Sequence, residues 1–172
     1  MTRPHLVLRT DDVEPYPSPD DPIYTSRHVL GPESGGLHPF LNEGTLRANA
    51  ALGGGNHPDN DEIYVALTGR SWVDLGGHPT TGEGSTTYLL EPGMVALIPA
   101  GSFHRLHNGW DEDFVFLTIW PQPSAPGANG VYDARLASWG TAFRLRAGHE
   151  LRTAGEASRV VEPAAGWDPR VG

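Results

Sequence analysis

The side chains able to do chemistry fall in two short stretches. The first is His57-Pro-Asp-Asn-Asp-Glu62, which leads into an apolar run closed by Gly69. The second is Gly93-Met-Val-Ala-Leu-Ile-Pro99-Ala-Gly101-Ser-Phe-His104-Arg-Leu-His-Asn108. It reads as a turn, a buried strand, a tight turn shaped by Pro99 and Gly101, and a second strand that starts at His104. Imidazole and carboxylate are ligands for divalent metals. The chain has no cysteine, so thiolate nucleophiles, disulfides and sulfur-ligated clusters are excluded. Two turn-bounded hairpins that each carry a metal-ligand side chain near one end imply a small β-barrel with a metal in its mouth.

Other catalytic signatures are missing. No Gly-x-Ser-x-Gly, phosphate loop or dinucleotide fingerprint occurs, and no Gly-Lys-Ser/Thr follows Gly53-Gly54-Gly55. All twelve basic residues are arginine, so no Schiff-base lysine exists. A net charge of −9 without a basic run makes nucleic acid and anionic membrane surfaces poor partners. A small-molecule substrate is the expected partner. Neither a leader peptide nor a run of membrane-spanning length is read from the sequence, so a cytoplasmic location is expected.

The elements that must position these residues are short strands. The chain has 172 residues, 22 of them glycine and 16 proline, which suits many tight turns and disfavours a helical bundle. Strands are expected over residues 1–9, 23–30, 46–52, 62–68, 71–75, 87–90, 94–98, 103–107 and 114–120. Residues 10–22 and 31–42 are expected as loops, the first too rich in proline for helix. The 71–75 strand is expected to pair with 62–68 as a hairpin. Spacing of this kind implies a sandwich or barrel. Beyond Trp120, strands are expected near 142–146 and 159–162 and a helical turn at 134–139. One domain is expected over 1–172: an arm at 1–35, a core at 36–120 and an extension at 121–172 that has too few apolar residues for a core of its own.

Gly93, Pro99, Gly101, His104 and Asn108 match every fixed position of the second sequence motif of the cupin superfamily, Gly-x5-Pro-x-Gly-x2-His-x3-Asn. His57, Glu62 and Gly69 resemble the first motif, Gly-x5-His-x-His-x3-4-Glu-x6-Gly. Two of its positions differ: Gly55 stands where the first histidine belongs, and Asn49 where the opening glycine belongs. The resemblance spans residues 36–120. It implies an all-β fold, the double-stranded β-helix or jelly-roll barrel, with an N-terminal arm and a C-terminal extension. It also implies a metal held by His57, Glu62 and His104, a set thinned from three histidines and a glutamate.

Two imidazoles and one carboxylate can hold non-haem Fe(II) on one face and leave positions open. Fe(II) is therefore the favoured ion, with Zn, Mn or Ni as the others. The favoured activity is that of an iron-dependent oxygenase. A metal-dependent isomerase or cyclase of small-molecule metabolism is the alternative, and a metabolite-binding cupin that has lost its metal is the other class.

Rival residues are Asp59, which would form a His57-x-Asp59 pattern with His104, and His38 as a substitute ligand. His107 is out of phase with Leu106 and expected outside the barrel. Glu62, Arg47 and Tyr64 are the candidate catalytic residues. Arg47, Asn49 and Ala51 share the parity of His57 if their strand is unbroken, which would let Arg47 hold a substrate carboxylate. Tyr64, Ala66, Phe116 and Trp120 are candidates for the pocket wall. The resemblance also carries the expectation of a homodimer.

Overall fold

The computed structural model describes residues 5–16, 23–31, 40–121, 130–153 and 158–163; His38 lies outside them. The strands are β1 (His5–Val7), β2 (Tyr24–Leu30), β3 (Phe40–Leu46), β4 (Glu62–Thr68), β5 (Ser71–Leu75), β6 (Thr86–Leu90), β7 (Val95–Ile98), β8 (His104–His107), β9 (Phe114–Trp120), β10 (His149–Thr153) and β11 (Ser158–Pro163), with one helix, α1 (Gly130–Trp139). The fold is all-β apart from this helix, and every pairing within the two large sheets is antiparallel.

A five-stranded sheet runs β2-β3-β9-β4-β7 and a three-stranded sheet runs β6-β5-β8. Their facing sides supply one core, in which Leu46, Tyr64, Ala66, Phe114 and Phe116 of the first meet Val73, Leu90 and Leu106 of the second. Strand β9 shows the cause most clearly. Its residues Phe114, Phe116, Thr118 and Trp120 are buried while the intervening Val115, Leu117 and Ile119 are less so, the period-two pattern of a strand with one face in the core.

The expected hairpin between 62–68 and 71–75 does not form. Strand β4 pairs with β7 and β9, and β5 pairs with β6 and β8, so the turn between them carries the chain from one sheet to the other. Gly69 makes that corner at φ 68°, and a Cβ there would lie 2.2 Å from the Asp113 carbonyl oxygen. Glycine adopts such a φ without steric cost, and only a residue without a Cβ allows such an approach.

The strand expected at 46–52 lies earlier, at Phe40–Leu46. Its inward residues are Phe40, Asn42, Gly44 and Leu46, and the polar and glycine positions among them hide the alternation. Gly44 is inward because a Cβ would lie 2.8 Å from the Tyr24 hydroxyl and 2.9 Å from the Phe116 ring. After Leu46 the chain turns, with Asn49 at φ 56°, and only Ala51 and Gly55 bridge to β8.

At the termini, β1 pairs in parallel with β11, which pairs with β10. Val13 bridges Leu145, so the arm and the extension join each other. Residues 10–12, expected as loop, form a single 3-10 turn held by a bond from the Arg9 N–H to the Asp12 carboxylate at 3.0 Å. Residues 142–146 form no strand, and the helical turn expected at 134–139 is a full helix from Gly130. Among the described residues no helix is long and apolar enough to cross a membrane.

The corner at Gly69 should be sensitive. Gly69→Ala is expected to destabilise the fold by about 3 kcal/mol, the sum of a left-handed backbone and a forced shift of Asp113. Urea denaturation checks this; a loss below about 1 kcal/mol would mean that the corner can re-form around a side chain.

Candidate metal centre

Three segments converge at one end of the barrel. Glu62 opens β4 and is 4% exposed. His104 opens β8 and is 9% exposed. His57 precedes β4 in the segment that lies beside β8, where Gly55 and His104 exchange N–H···O bonds of 3.1 and 2.9 Å and the Gly101 N–H donates to the His57 carbonyl at 2.8 Å. The His57 ring packs on Trp120, centroids 4.1 Å apart, and stands 5.0 Å from the His104 ring.

Glu62 organises this end. Trp120 Nε1 donates to Glu62 Oε1 at 2.9 Å. Glu62 Oε2 lies 3.1 Å from His104 Nε2 and 3.5 Å from His57 Nε2, yet it is buried and accepts no hydrogen bond. His104 Nδ1 lies 3.3 Å from the Ser102 carbonyl, which can only accept, so the ring hydrogen is assigned there. In the neutral ring Nε2 then carries a lone pair facing a carboxylate oxygen. Two lone pairs in contact inside a protein need a cation between them, either a proton or a metal.

One donor atom from each of His57, Glu62 and His104 lies within 4.8 Å of the others. The set therefore fits a divalent ion, and the histidine Nδ1 bonded to a backbone carbonyl is the orientation common to metal-bound imidazoles.

The cavity in front of these groups measures about 380 Å³, the size of small-ligand sites. Its wall includes Tyr24, Ser26, Asn42, Tyr64, Phe116 and Thr118. Burial, with Glu62 as a second contribution, holds the Tyr64 hydroxyl well above the usual tyrosine range. Burial likewise pushes Tyr24 up to about 12. Both phenols stay protonated through the neutral range.

Tyr64, Phe116 and Trp120 thus line the cavity, whereas Ala66 packs in the core. Arg47 is not at the cavity. The chain turns just after β3, so the parity argument that linked Arg47 to His57 does not apply, and Arg47 NH1 is ion-paired with Asp113 at 2.8 Å. Asp59 is exposed and outside the cluster. His107 faces the other side of β8, with Nε2 3.5 Å from Asp74. Sequence reasoning missed Tyr24, Ser26, Asn42 and Thr118; of these, only Thr118 carried a signal, its shared parity with Phe116 and Trp120.

Residues 42–120 match the family model of the cupin domain, and that part of the chain is a cupin domain. Among curated proteins, the glucose-6-phosphate isomerase of Pyrococcus horikoshii is 34% identical over 94 residues, 54% of this chain and 43% of that protein. The enzyme of the same name from Pyrococcus abyssi is 41% identical over 64 residues, 37% of this chain and 32% of its own. This chain spans less than half the length of these relatives. Among solved structures, the polyketide cyclase of Streptomyces resistomycificus superposes with a TM-score of 0.57 at 21% identity, over 69% of this chain and 80% of that one. A predicted oxalate decarboxylase of Thermotoga maritima superposes with a TM-score of 0.56 at 18% identity, over 68% of this chain and 99% of that one. At these identities the structural matches establish the shared fold.

The position of the absent histidine is open. Gly55 sits directly opposite His104 in the bridge, so a side chain there would stand beside His104, and a Cβ would meet nothing within 4 Å. Gly55→His is therefore expected to tighten Zn2+ or Mn2+ binding by about tenfold or more. Isothermal titration checks it; unchanged affinity would mean that a side chain at 55 does not reach the ion.

Proposed function

We propose that this cupin domain is a metal-dependent enzyme that isomerises a small hydroxy-carbonyl compound, with His57, Glu62 and His104 holding one divalent ion. The observation that carries the metal is Glu62 Oε2, a buried carboxylate oxygen without a hydrogen bond that faces the Nε2 atoms of two histidines. The isomerase reading draws on the curated relatives, whose name states that activity for them. When bound, the ion supplies a Lewis acid that polarises a substrate oxygen.

The chain's own residues do the rest. Trp120 Nε1 holds Glu62 Oε1, which fixes the plane of the carboxylate. The Tyr64 hydroxyl, which burial and the nearby Glu62 carboxylate keep protonated, lines the same cavity. Glu62 is the single carboxylate among the described residues lining the cavity. Such an isomerisation needs a base that takes a proton from the carbon beside the carbonyl and returns it to the carbonyl carbon, while the hydroxyl proton passes to the former carbonyl oxygen. We assign that role to Glu62, the carboxylate lining the cavity. Phe116 and Trp120 add buried aromatic rings to the cavity wall.

A second reading is an Fe(II)-dependent oxygenase. The open space at Gly55 favours it, because a missing protein ligand leaves room for two small molecules on the ion.

Elemental analysis of the purified protein tests the common part of both readings. Stoichiometric metal is expected in the wild type, and His57→Ala and Glu62→Ala should weaken its affinity by about a hundredfold. Equal metal content in all three proteins would reject a metalloenzyme and favour a metabolite-binding cupin. The reaction is tested with glucose 6-phosphate and fructose 6-phosphate in 2H2O. Isomerisation with solvent deuterium entering at carbon, abolished in Glu62→Gln, supports the first reading. Substrate-dependent oxygen uptake without isotope exchange supports the second.

A further inference from the structure

One pleat below Glu62 the inner face of the large sheet is polar. The register places His28 of β2 opposite Asn42 of β3, Asn42 opposite Thr118 of β9, and Thr118 opposite Tyr64 of β4, so these four form one row across the sheet. Asn42 and Thr118 are each 7% exposed and line the cavity.

The row is anchored from outside the barrel core. Arg135 of α1 is 1% exposed. Its NH1 donates to Asn42 Oδ1 at 3.2 Å, and its NH2 donates to Ser26 Oγ. A guanidinium has no acceptor, so the Asn42 atom that faces it must be the carbonyl oxygen. The same oxygen lies 3.1 Å from His28 Nδ1, which therefore bears the ring hydrogen. With Oδ1 held by two donors, the Asn42 amide group is turned away from Arg135. Among the described residues, Asn42 Nδ2 and Thr118 Oγ1 have no hydrogen-bond partner. Two hydrogen-bonding groups, each on a side chain more than nine-tenths buried, thus stand side by side on the cavity wall.

We propose that Asn42 Nδ2 and Thr118 Oγ1 bind an acceptor oxygen, carbonyl or carboxylate, of a polyhydroxylated substrate, and that Arg135 is the positioning residue that turns Asn42 to present its donor. This rests on the small-molecule enzyme reading above and names its substrate class, a sugar or sugar acid. The guanidinium also polarises the carboxamide and makes its N–H groups better donors. A polar wall oriented by a buried charge serves oxygen recognition; an apolar wall would serve packing alone.

The test uses the full chain, D-gluconate and D-glucitol as probes, and isothermal titration as the readout. The two probes differ in whether the end carbon carries a carboxylate or a hydroxyl. Wild type is expected to bind gluconate in preference to glucitol. Asn42→Asp keeps an oxygen facing Arg135, and so keeps the fold, but replaces the donor by an anion. It should weaken gluconate by about tenfold or more, leave glucitol within about twofold, and not lower the melting temperature. Thr118→Val, a near-isostere, should weaken gluconate by about fivefold. Arg135→Met should weaken gluconate while leaving Mn2+ affinity unchanged.

Gluconate binding that is absent in the wild type or unchanged in Asn42→Asp overturns the proposal. So does an Arg135→Met variant that loses Mn2+ and gluconate together, since Arg135 would then only support the fold. Failure of the metal reading is seen separately, as wild type that binds no Mn2+ while gluconate still depends on Asn42.

Discussion

Burying the Glu62 carboxylate at 4% exposure forfeits hydration worth several kcal/mol, and the surrounding structure must compensate for it. Trp120 Nε1 satisfies one oxygen. The other oxygen is left between two imidazole nitrogens. For that geometry β4, β8, β9 and the segment through His57 must end at the same level, which the strand pairings enforce. Glu62 is the first residue of β4, Trp120 the last of the antiparallel β9 beside it, and His104 the first of β8 in the opposite sheet. The Gly55–His104 bridge then closes the circuit by tying the His57 segment to β8. The barrel thus gathers strand ends from two sheets around one carboxylate.

That dependence explains which parts of the fold were legible in the sequence. The bounds of β4, β5 and β9 were read correctly because apolar side chains mark their inner positions and glycines or prolines mark their ends. Strand β3 was placed six residues too late because its inward positions include Asn42 and Gly44, one polar for the cavity and one small for the Tyr24 and Phe116 rings. The failure has a functional cause: a strand that lines a polar pocket gives up the alternation by which strands are recognised. The sheet partner of β5 was misread for a different reason. A glycine turn between two apolar runs has the same local signature whether the chain folds back as a hairpin or crosses to the facing sheet.

The candidate site divides in the same way. His57, Glu62 and His104 could be named together because motif spacing ties each to a turn. Arg47 could not be excluded from sequence, since its distance from the cavity depends on the turn at Asn49, and a non-glycine residue at φ 56° is not announced by its neighbours. Arg135 lay beyond reach altogether. It sits 93 residues from Asn42, on a helix whose sequence shows weak amphipathicity, and nothing local links the two.

Residues 42–120 match the shared domain, but the cavity is not built from them alone. Tyr24 and Ser26 precede that span, while Gly130 and Val131 follow it, and all four line the pocket. The part in common with other cupins holds His57, Glu62 and His104, the set that fits an ion. The parts outside it contribute Tyr24, Ser26, Gly130 and Val131 to the wall and, through Arg135, orient Asn42 within the shared part. A change of β2 or α1 would therefore alter the cavity wall while leaving His57, Glu62 and His104 in place. Likeness over the shared domain speaks to the chemistry that the carboxylate and histidines can perform. It does not extend to the residues that the arm and the helix add around them.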